Sequence, residues 1–368
     1  MPRKNLLREP LRVFKPYVAG KPIAEVRREY GLTGRIAKLA SNENPLGTSP
    51  KALAAMRQVI DEVYLYPDDN SYYLRKKISG LYDVGFENTF AASGSVEVLE
   101  LAALAFLNPD DAVVTSDRTF AIYSLVTMKA GAELRLVPMI DGGYGYDLDG
   151  LAKRIDARTK IVFLANPTNP TGTWFTRMEF DTFMATVPDD VLVVYDSAYE
   201  EYCTVDDMPD PMKYFRAGRR LLYVRTLSKA YGLAGVRIGF AIGPQDIIHG
   251  LMTCRVPFNV NLIAQIGAMA ALDDTDFVER SRAFNRDELA FLRDGLKDLP
   301  VIVPPSQANF LLVDTKKDAA QLFADLQTRG IIVRPMGSYG MPTAIRVNPG
   351  LREDNEAFLR HLRDLLVD

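Results

Sequence analysis

The sequence predicts an α/β protein: a mainly parallel central sheet sandwiched by helices, followed by a smaller α+β unit. Three observations carry this. Apolar, β-branched runs alternate with longer helical patterns from about residue 50 to 265, and such alternation builds parallel sheets through βαβ crossovers. Runs such as VLVVYD (191–196) are continuously apolar, the pattern of strands covered on both faces. After about residue 275 the pattern changes, and a charged helical stretch leads into short strands.

Taken in order, AVVTS (112–116), ELRLVP (133–138), KIVFLA (160–165), VLVVYD (191–196), LLYVRT (221–226) and RIGFAIG (237–243) read as strands. The helical stretch from 96 ends before Asn108-Pro109-Asp110, because proline cannot continue a helix. Beyond 275, DFVERSRAFNRDELAFLRDGLKDL is helical, and ANFLLVDT, a helix at 317–329, IIVRPM, AIRVNPG and a last helix follow. No repeat or low-complexity linker interrupts the chain. The expected division is 1–40 as an N-terminal arm with part of the small domain, 41–270 as a large ligand-binding domain, and 271–368 as a small C-terminal domain.

Composition narrows the function. A chain of 368 residues with 48% hydrophobic and 25% charged residues is ordinary for a globular protein. A net charge of −3 with interspersed signs argues against a general nucleic-acid or anionic-membrane surface. No apolar run approaches the roughly 20 residues that span a bilayer. The basic N-terminus lacks an apolar secretory core, so a cytoplasmic location is expected. Two cysteines, Cys203 and Cys254, exclude a disulfide framework, and two histidines, His249 and His361, form no metal pattern. Acid–base work therefore falls to lysine, tyrosine or carboxylates.

In open α/β sheets ligands bind beyond the carboxyl ends of the strands. VLVVYD exits at Asp196, with Tyr199 three residues on; KIVFLA exits into Asn166-Pro167-Thr168-Asn169-Pro170-Thr171-Gly172. NTFAAS (88–93) exits into Gly94-Ser95 and a helix whose free N–H groups suit an anion. LLYVRT exits at Thr226, Ser228 and Lys229, and Arg237 follows. The first three exits alone are equally caps or turns, but no comparable structural need explains Lys229. Together they supply a phosphate cradle, an amide, a carboxylate, a phenol and an amine. That set suits pyridoxal phosphate: an amine for its aldehyde, a carboxylate for its ring nitrogen, and donors for its hydroxyl and phosphate.

The landmarks PYVAGKPI (16–23), LASNENPLG (39–47), YPDDNSYYLRKKI (66–78), SGSVE (93–97), ANPTNPTG (165–172), YDSAYEEY (195–202), TLSKAYGLAGVRIGF (226–240), PFNVN (257–261), SQANFLLVD (306–314) and IIVRPM to IRVNPG (331–350) run through nearly the whole chain. In this order they resemble the histidinol-phosphate aminotransferase family of the fold-type-I pyridoxal-phosphate enzymes. The resemblance implies Lys229 as the Schiff-base lysine and proton shuttle, Asp196 on the ring nitrogen, and Asn166 and Tyr199 on the ring hydroxyl. It puts Phe120 on the ring face, and Gly94, Ser95, Val96, Thr226, Ser228 and Arg237 around the phosphate. It implies Tyr66 reaching that phosphate across a homodimer interface. On the substrate side it implies Arg346 for the α-carboxylate, Arg334 and Tyr17 for the distal end, and Asn42 and Asn44 along the wall. The reaction implied is L-histidinol phosphate with 2-oxoglutarate.

Several positions depart from the family pattern. Val96 stands where an aspartate is usual, Arg118 precedes Thr119-Phe120 where proline is usual, and Ser197 replaces glutamate after Asp196. The strand after Arg346 ends in Asn348-Pro349-Gly350 and not in a β-branched run. Arg118 is expected to add a cation near the site. These departures keep open a decarboxylase, lyase or oxidase using the same cofactor; an aromatic amino-acid aminotransferase stays open because the subfamily is alike at motif level, and a non-catalytic protein on the same fold is the third reading.

Overall fold

The structure is a computed structural model that describes residues 6–8, 11–12, 20–140 and 142–367. Its strands are β1 Ala37–Lys38, β2 Thr89–Ala92, β3 Ala112–Ser116, β4 Glu133–Val137, β5 Thr159–Ala165, β6 Leu192–Asp196, β7 Leu221–Thr226, β8 Gly239–Ile242, β9 Leu311–Asp314, β10 Ile331–Ile332, β11 Arg334–Pro335 and β12 Ala344–Val347. Seven of them form one sheet in the order β2-β8-β7-β6-β5-β3-β4. From β7 to β4 every pairing is parallel. β8 runs antiparallel to both β7 and β2. The reason is the length of its connection. Residues 227–238 hold only the 3-10 turn Ala234–Val236, which is too little chain for a helical crossover.

Period-two alternation decides what each strand buries. In β5, Val162 and Leu164 pack into the layer on one face of the sheet, while Ile161 and Phe163 pack into the layer on the other. All four are 0% exposed, which is why the run reads as continuously apolar. Burying each of these side chains contributes about 1.5–3 kcal/mol, so the centre of the sheet is a fixed platform. Because β5, β6 and β7 are parallel, Ala165, Asp196 and Thr226 end at the same edge, with Ala165 directly opposite Asp196.

A second layer is C-terminal. β11, β12 and β9 form an antiparallel sheet in that order, which sets Arg334 opposite Arg346. β1 pairs in parallel with β10, so residues just before 40 are stitched to the C-terminal layer. Its core is Leu289, Leu292 and Leu296 of the helix Thr275–Leu296 against Phe358 and Leu362 of the helix Arg352–Val367. Among the described residues no helix is long and apolar enough to cross a membrane.

Candidate active site

A cavity of about 310 Å³ opens where the carboxyl ends of β5, β6 and β7 meet the C-terminal layer. Lys229 stands in it, on the loop after β7. The Lys229 amine donates to the Ser41 carbonyl at 3.2 Å and lies 5.8 Å from the centre of the Tyr199 ring. Burial lowers its pKa to about 8, helped by the cations of Arg346 and Arg237 and opposed by Glu43 and Asp196. A desolvated amine among cations loses its proton more readily than a surface lysine.

Asp196, the last residue of β6, is 4% exposed. Its Oδ2 accepts from the Tyr123 hydroxyl at 2.9 Å, and its Oδ1 has no partner. Burial raises its pKa to about 6, while the bonds from Tyr123 and the Ala198 backbone pull it down. Asp196 lines the cavity, and a buried carboxylate oxygen without a donor calls for a protonated partner. The Tyr199 hydroxyl accepts from Asn42 Nδ2 at 3.0 Å, and burial pushes its pKa up to about 12. It therefore remains a neutral hydroxyl that can donate.

The opposite wall is a cradle for an anion. The helix Ser95–Phe106 begins there, and Ser95, Val96, Thr226, Ser228 and Arg237 line it. The Thr226 hydroxyl donates to Ser228 Oγ at 2.9 Å. Gly94 has φ +86°, and a Cβ on it would collide with the Arg237 guanidinium; a Cβ on Gly239 would lie 2.7 Å from the Ser95 nitrogen. The glycines let arginine and helix start converge on one small volume. Phe120 lines the cavity from the side, edge-on to Tyr123 at 5.7 Å between centroids.

The C-terminal layer supplies cations. Arg334 and Arg346 line the cavity together with Tyr339. The Arg346 guanidinium is held by Asn169 Oδ1 and, at 3.0 Å, by the Ala40 carbonyl, with Phe310 5.0 Å beneath it. Its Nε is buried without a partner, so a donor remains for an incoming carboxylate. Asn42 lines the wall with φ 55°, a left-handed backbone that costs about 1 kcal/mol for a residue with a side chain. Its N–H donates to Asn348 Oδ1 at 3.0 Å and its carbonyl accepts from Asn309 Nδ2 at 3.1 Å, bonds of about 1 kcal/mol each that offset the strain.

Three expectations are corrected. Asn166 is 0% exposed and turned away from the cavity: its Oδ1 accepts from the Phe175 N–H at 3.0 Å, and its Nδ2 donates to the Phe175 carbonyl and the Tyr195 hydroxyl at 3.2 and 3.0 Å. The asparagine that lines the cavity is Asn169, one turn of the loop later. Asn44 does not line it; its Nδ2 donates to the Ala230 carbonyl and to Ser281 Oγ at 2.9 and 2.8 Å, propping the backbone beside Lys229. Arg118 does not point its charge at the cavity; its Nη1 donates to the Gly143 carbonyl at 3.3 Å. Tyr66, expected to serve the cavity of a partner subunit, is 81% exposed and stacks on Phe258 at 4.5 Å, outside the cavity of its own chain. Tyr17 lies outside the described residues. Ser197, fully buried, donates to Glu200, which also accepts from the Tyr223 hydroxyl, in an ionic cluster with Arg225 and Glu201 behind Asp196.

Sequence reading missed Asn169, Tyr123 and Tyr339. Asn169 carried a usable signal, the Asn-Pro-Thr-Gly that closes the loop. Tyr123 follows Phe120 by three residues at the start of a helix, which puts both rings on one side. Tyr339 lies in a short 3-10 turn, Gly337–Tyr339, with no distinguishing pattern.

The model of the family described as aminotransferase class I and II matches residues 35–362. The chain is 44% identical over 355 residues to histidinol-phosphate aminotransferase 2 of Pseudomonas aeruginosa, covering 96% of each. It is 42% identical over 361 residues to histidinol-phosphate aminotransferase of Moorella thermoacetica, covering 98% of this chain and 93% of the relative. In fold it is similar to the crystal structure of histidinol-phosphate aminotransferase from Sinorhizobium meliloti in complex with pyridoxal-5'-phosphate. That likeness has a TM-score of 0.89 at 24% identity and covers 100% of this chain and 99% of that one.

Proposed function

The chain belongs to the class I and II aminotransferase family, and from that premise we propose that it transfers an amino group from L-histidinol phosphate to 2-oxoglutarate, giving imidazole-acetol phosphate and glutamate, with pyridoxal phosphate as cofactor. The observation that carries this is Lys229: a buried amine with its pKa lowered to about 8, in one cavity with the partnerless oxygen of Asp196 and the guanidinium of Arg346.

The residues fit the cofactor. Asp196 Oδ1 lacks a donor, which a protonated ring nitrogen supplies. The cradle of Gly94, Ser95, Val96, Thr226, Ser228 and Arg237 suits its phosphate. Tyr199 and Asn169 are placed for the ring hydroxyl, and Phe120 for the ring face. Pyridoxal phosphate, when bound, supplies an aldehyde that condenses with amines and a ring that accepts the electron pair left on a substrate carbon.

The chain's own residues do the rest. With the cofactor bound, the unprotonated Lys229 amine would hold its aldehyde, and once freed by an incoming amine Lys229 Nζ would take the proton from the substrate carbon and carry it to the cofactor. Asp196, ionised above about pH 6, would hold a proton on the ring nitrogen of the bound cofactor. Arg346, which lines the cavity, takes the α-carboxylate of glutamate. Arg334, the neighbouring cation on β11, takes the phosphate of histidinol phosphate. Both half-reactions then share one site.

The assembly we propose is a homodimer in the cytoplasm, with 41–270 and 271–368 as large and small domains. Leu46, Leu53, Ile60, Val63, Tyr64, Leu65, Tyr66 and Tyr73 are all exposed. An apolar tract this dense marks an association surface. Tyr66 within this tract would then serve the cavity of the partner subunit.

Acceptor dependence tests the reaction. Purified holoenzyme given histidinol phosphate and 2-oxoglutarate will form glutamate and keto product one for one. Continuous turnover without any oxo acid, or release of CO₂, would overturn the aminotransferase reading.

A further inference from the structure

Asn348 is the departure that no step above uses. It follows β12, and a β-branched residue there could not reach the N–H of Asn42. Its own N–H donates to the Leu39 carbonyl at 3.0 Å, and its Oδ1 accepts from the Asn42 N–H at 3.0 Å. Asn309, two residues before β9, holds the Asn42 carbonyl at 3.1 Å. Asn348, Asn309 and Asn42 are 3%, 2% and 1% exposed, so these bonds have no competition from water.

The peptide plane between Ser41 and Asn42 is the link to the chemistry. Its N–H is the one fixed by Asn348, and its carbonyl is the one that accepts from Lys229 Nζ at 3.2 Å. A peptide unit is planar, so turning one group turns the other. The Asn42 side chain leaves the same residue to donate to the Tyr199 hydroxyl at 3.0 Å. Two consecutive residues, gripped from the C-terminal layer, therefore touch both the amine and the phenol of the site.

We propose that Asn348 and Asn309 are positioning residues: Asn348 clamps the Ser41–Asn42 peptide and Asn309 the Asn42–Glu43 peptide, so that Lys229 and Tyr199 are held in register with each other and with the C-terminal layer. Neither touches substrate or cofactor. The inference rests on the aminotransferase reading and adds what aligns its two central groups. Tyr199 faces Lys229, Arg346, Asp196 and Tyr339, so a change in its orientation alters the electrostatics at the cofactor ring.

The test compares holoenzymes of wild type, Asn348→Leu and Asn348→Asp. The readouts are kcat, KM, cofactor affinity and the pH midpoint of the bound cofactor's absorbance. Asn348→Leu removes the acceptor at similar volume. We expect kcat to fall about 10- to 100-fold. The absorbance midpoint should rise by about one pH unit as the phenol's hydrogen bond weakens. Cofactor affinity should stay within about threefold, because the phosphate cradle is untouched. Asn348→Asp retains an acceptor and should restore most of the rate. A folded Asn348→Leu enzyme with unchanged midpoint and kcat overturns the clamp. Should that variant fail to fold, Asn309→Leu decides: a shifted midpoint supports the clamp, and an unshifted one overturns it. Wild-type protein that neither binds the cofactor nor transaminates overturns the underlying reading, an outcome distinct from a wild type that works and a clamp that does nothing.

Discussion

The two ends of the cavity are built differently. The phosphate end comes from short stretches: Gly94, Ser95 and Val96 are contiguous, and Thr226, Ser228, Lys229 and Arg237 fall within twelve residues. The substrate end is gathered from afar. Arg346 meets Asn169 across 177 residues and Ala40 across 306, and Arg334 arrives from another strand of its sheet. One end is anchored on the apolar platform of β5–β7, buried but for Lys160. The other depends on how the C-terminal layer sits against residues 39–42. The difference teaches that holding the cofactor and choosing the substrate are separable tasks, with Lys229 between them.

Mutations can break or sharpen that separation. Lys229→Ala should have the largest effect, cutting turnover by about 10⁴-fold or more while cofactor still binds measurably at the phosphate end. Normal turnover in that variant would refute the mechanism. Arg346→Lys is next: losing the fork that spans Asn169, Ala40 and the substrate should lower kcat/KM for glutamate about 100-fold, with cofactor affinity unaltered in an equilibrium titration. A loss confined to cofactor binding would place Arg346 at the wrong end.

A smaller effect joins the ends. With a folded-state pKa of about 8, Lys229 is protonated and unreactive below that pH and free above it. Capture of pyridoxal phosphate by the apoenzyme should therefore slow about tenfold per unit below pH 8 and level off above it. Stopped-flow absorbance reads this directly. Because the Arg346 cation is one cause of the lowered value, Arg346→Met should move the midpoint upward. A midpoint unchanged in that variant would mean the two ends do not communicate through charge.

What could be read in the sequence follows the same divide. The strand exits at Asp196 and Thr226, and the run from Lys229 to Arg237, are local patterns whose chemistry survives without tertiary information. Asn166 and Asn169 show the limit. Both stand before proline in one loop, and only the fold turns the first toward Phe175 and Tyr195 and the second toward Arg346. Arg118 and Asn44 failed for a related reason: charge and amide say what a side chain can bind, and the backbone carbonyls of Gly143 and Ala230 decided what they did bind. The direction of β8 was legible only in retrospect, from a connection too short for a helix. Asn348 looked like a departure until the left-handed Asn42 gave it a partner.

The central claim is that substrate choice resides at the C-terminal end of the cavity, in Arg334, apart from the cofactor cradle. Its most direct test is one measurement on Arg334→Ala: kcat/KM for histidinol phosphate beside kcat/KM for unphosphorylated histidinol. A buried or half-buried charge pair with phosphate contributes about 1.5–3 kcal/mol, so the account predicts a loss of roughly 10- to 100-fold for the phosphorylated amine and little change for the other, with cofactor affinity intact. Equal losses for both substrates would contradict it.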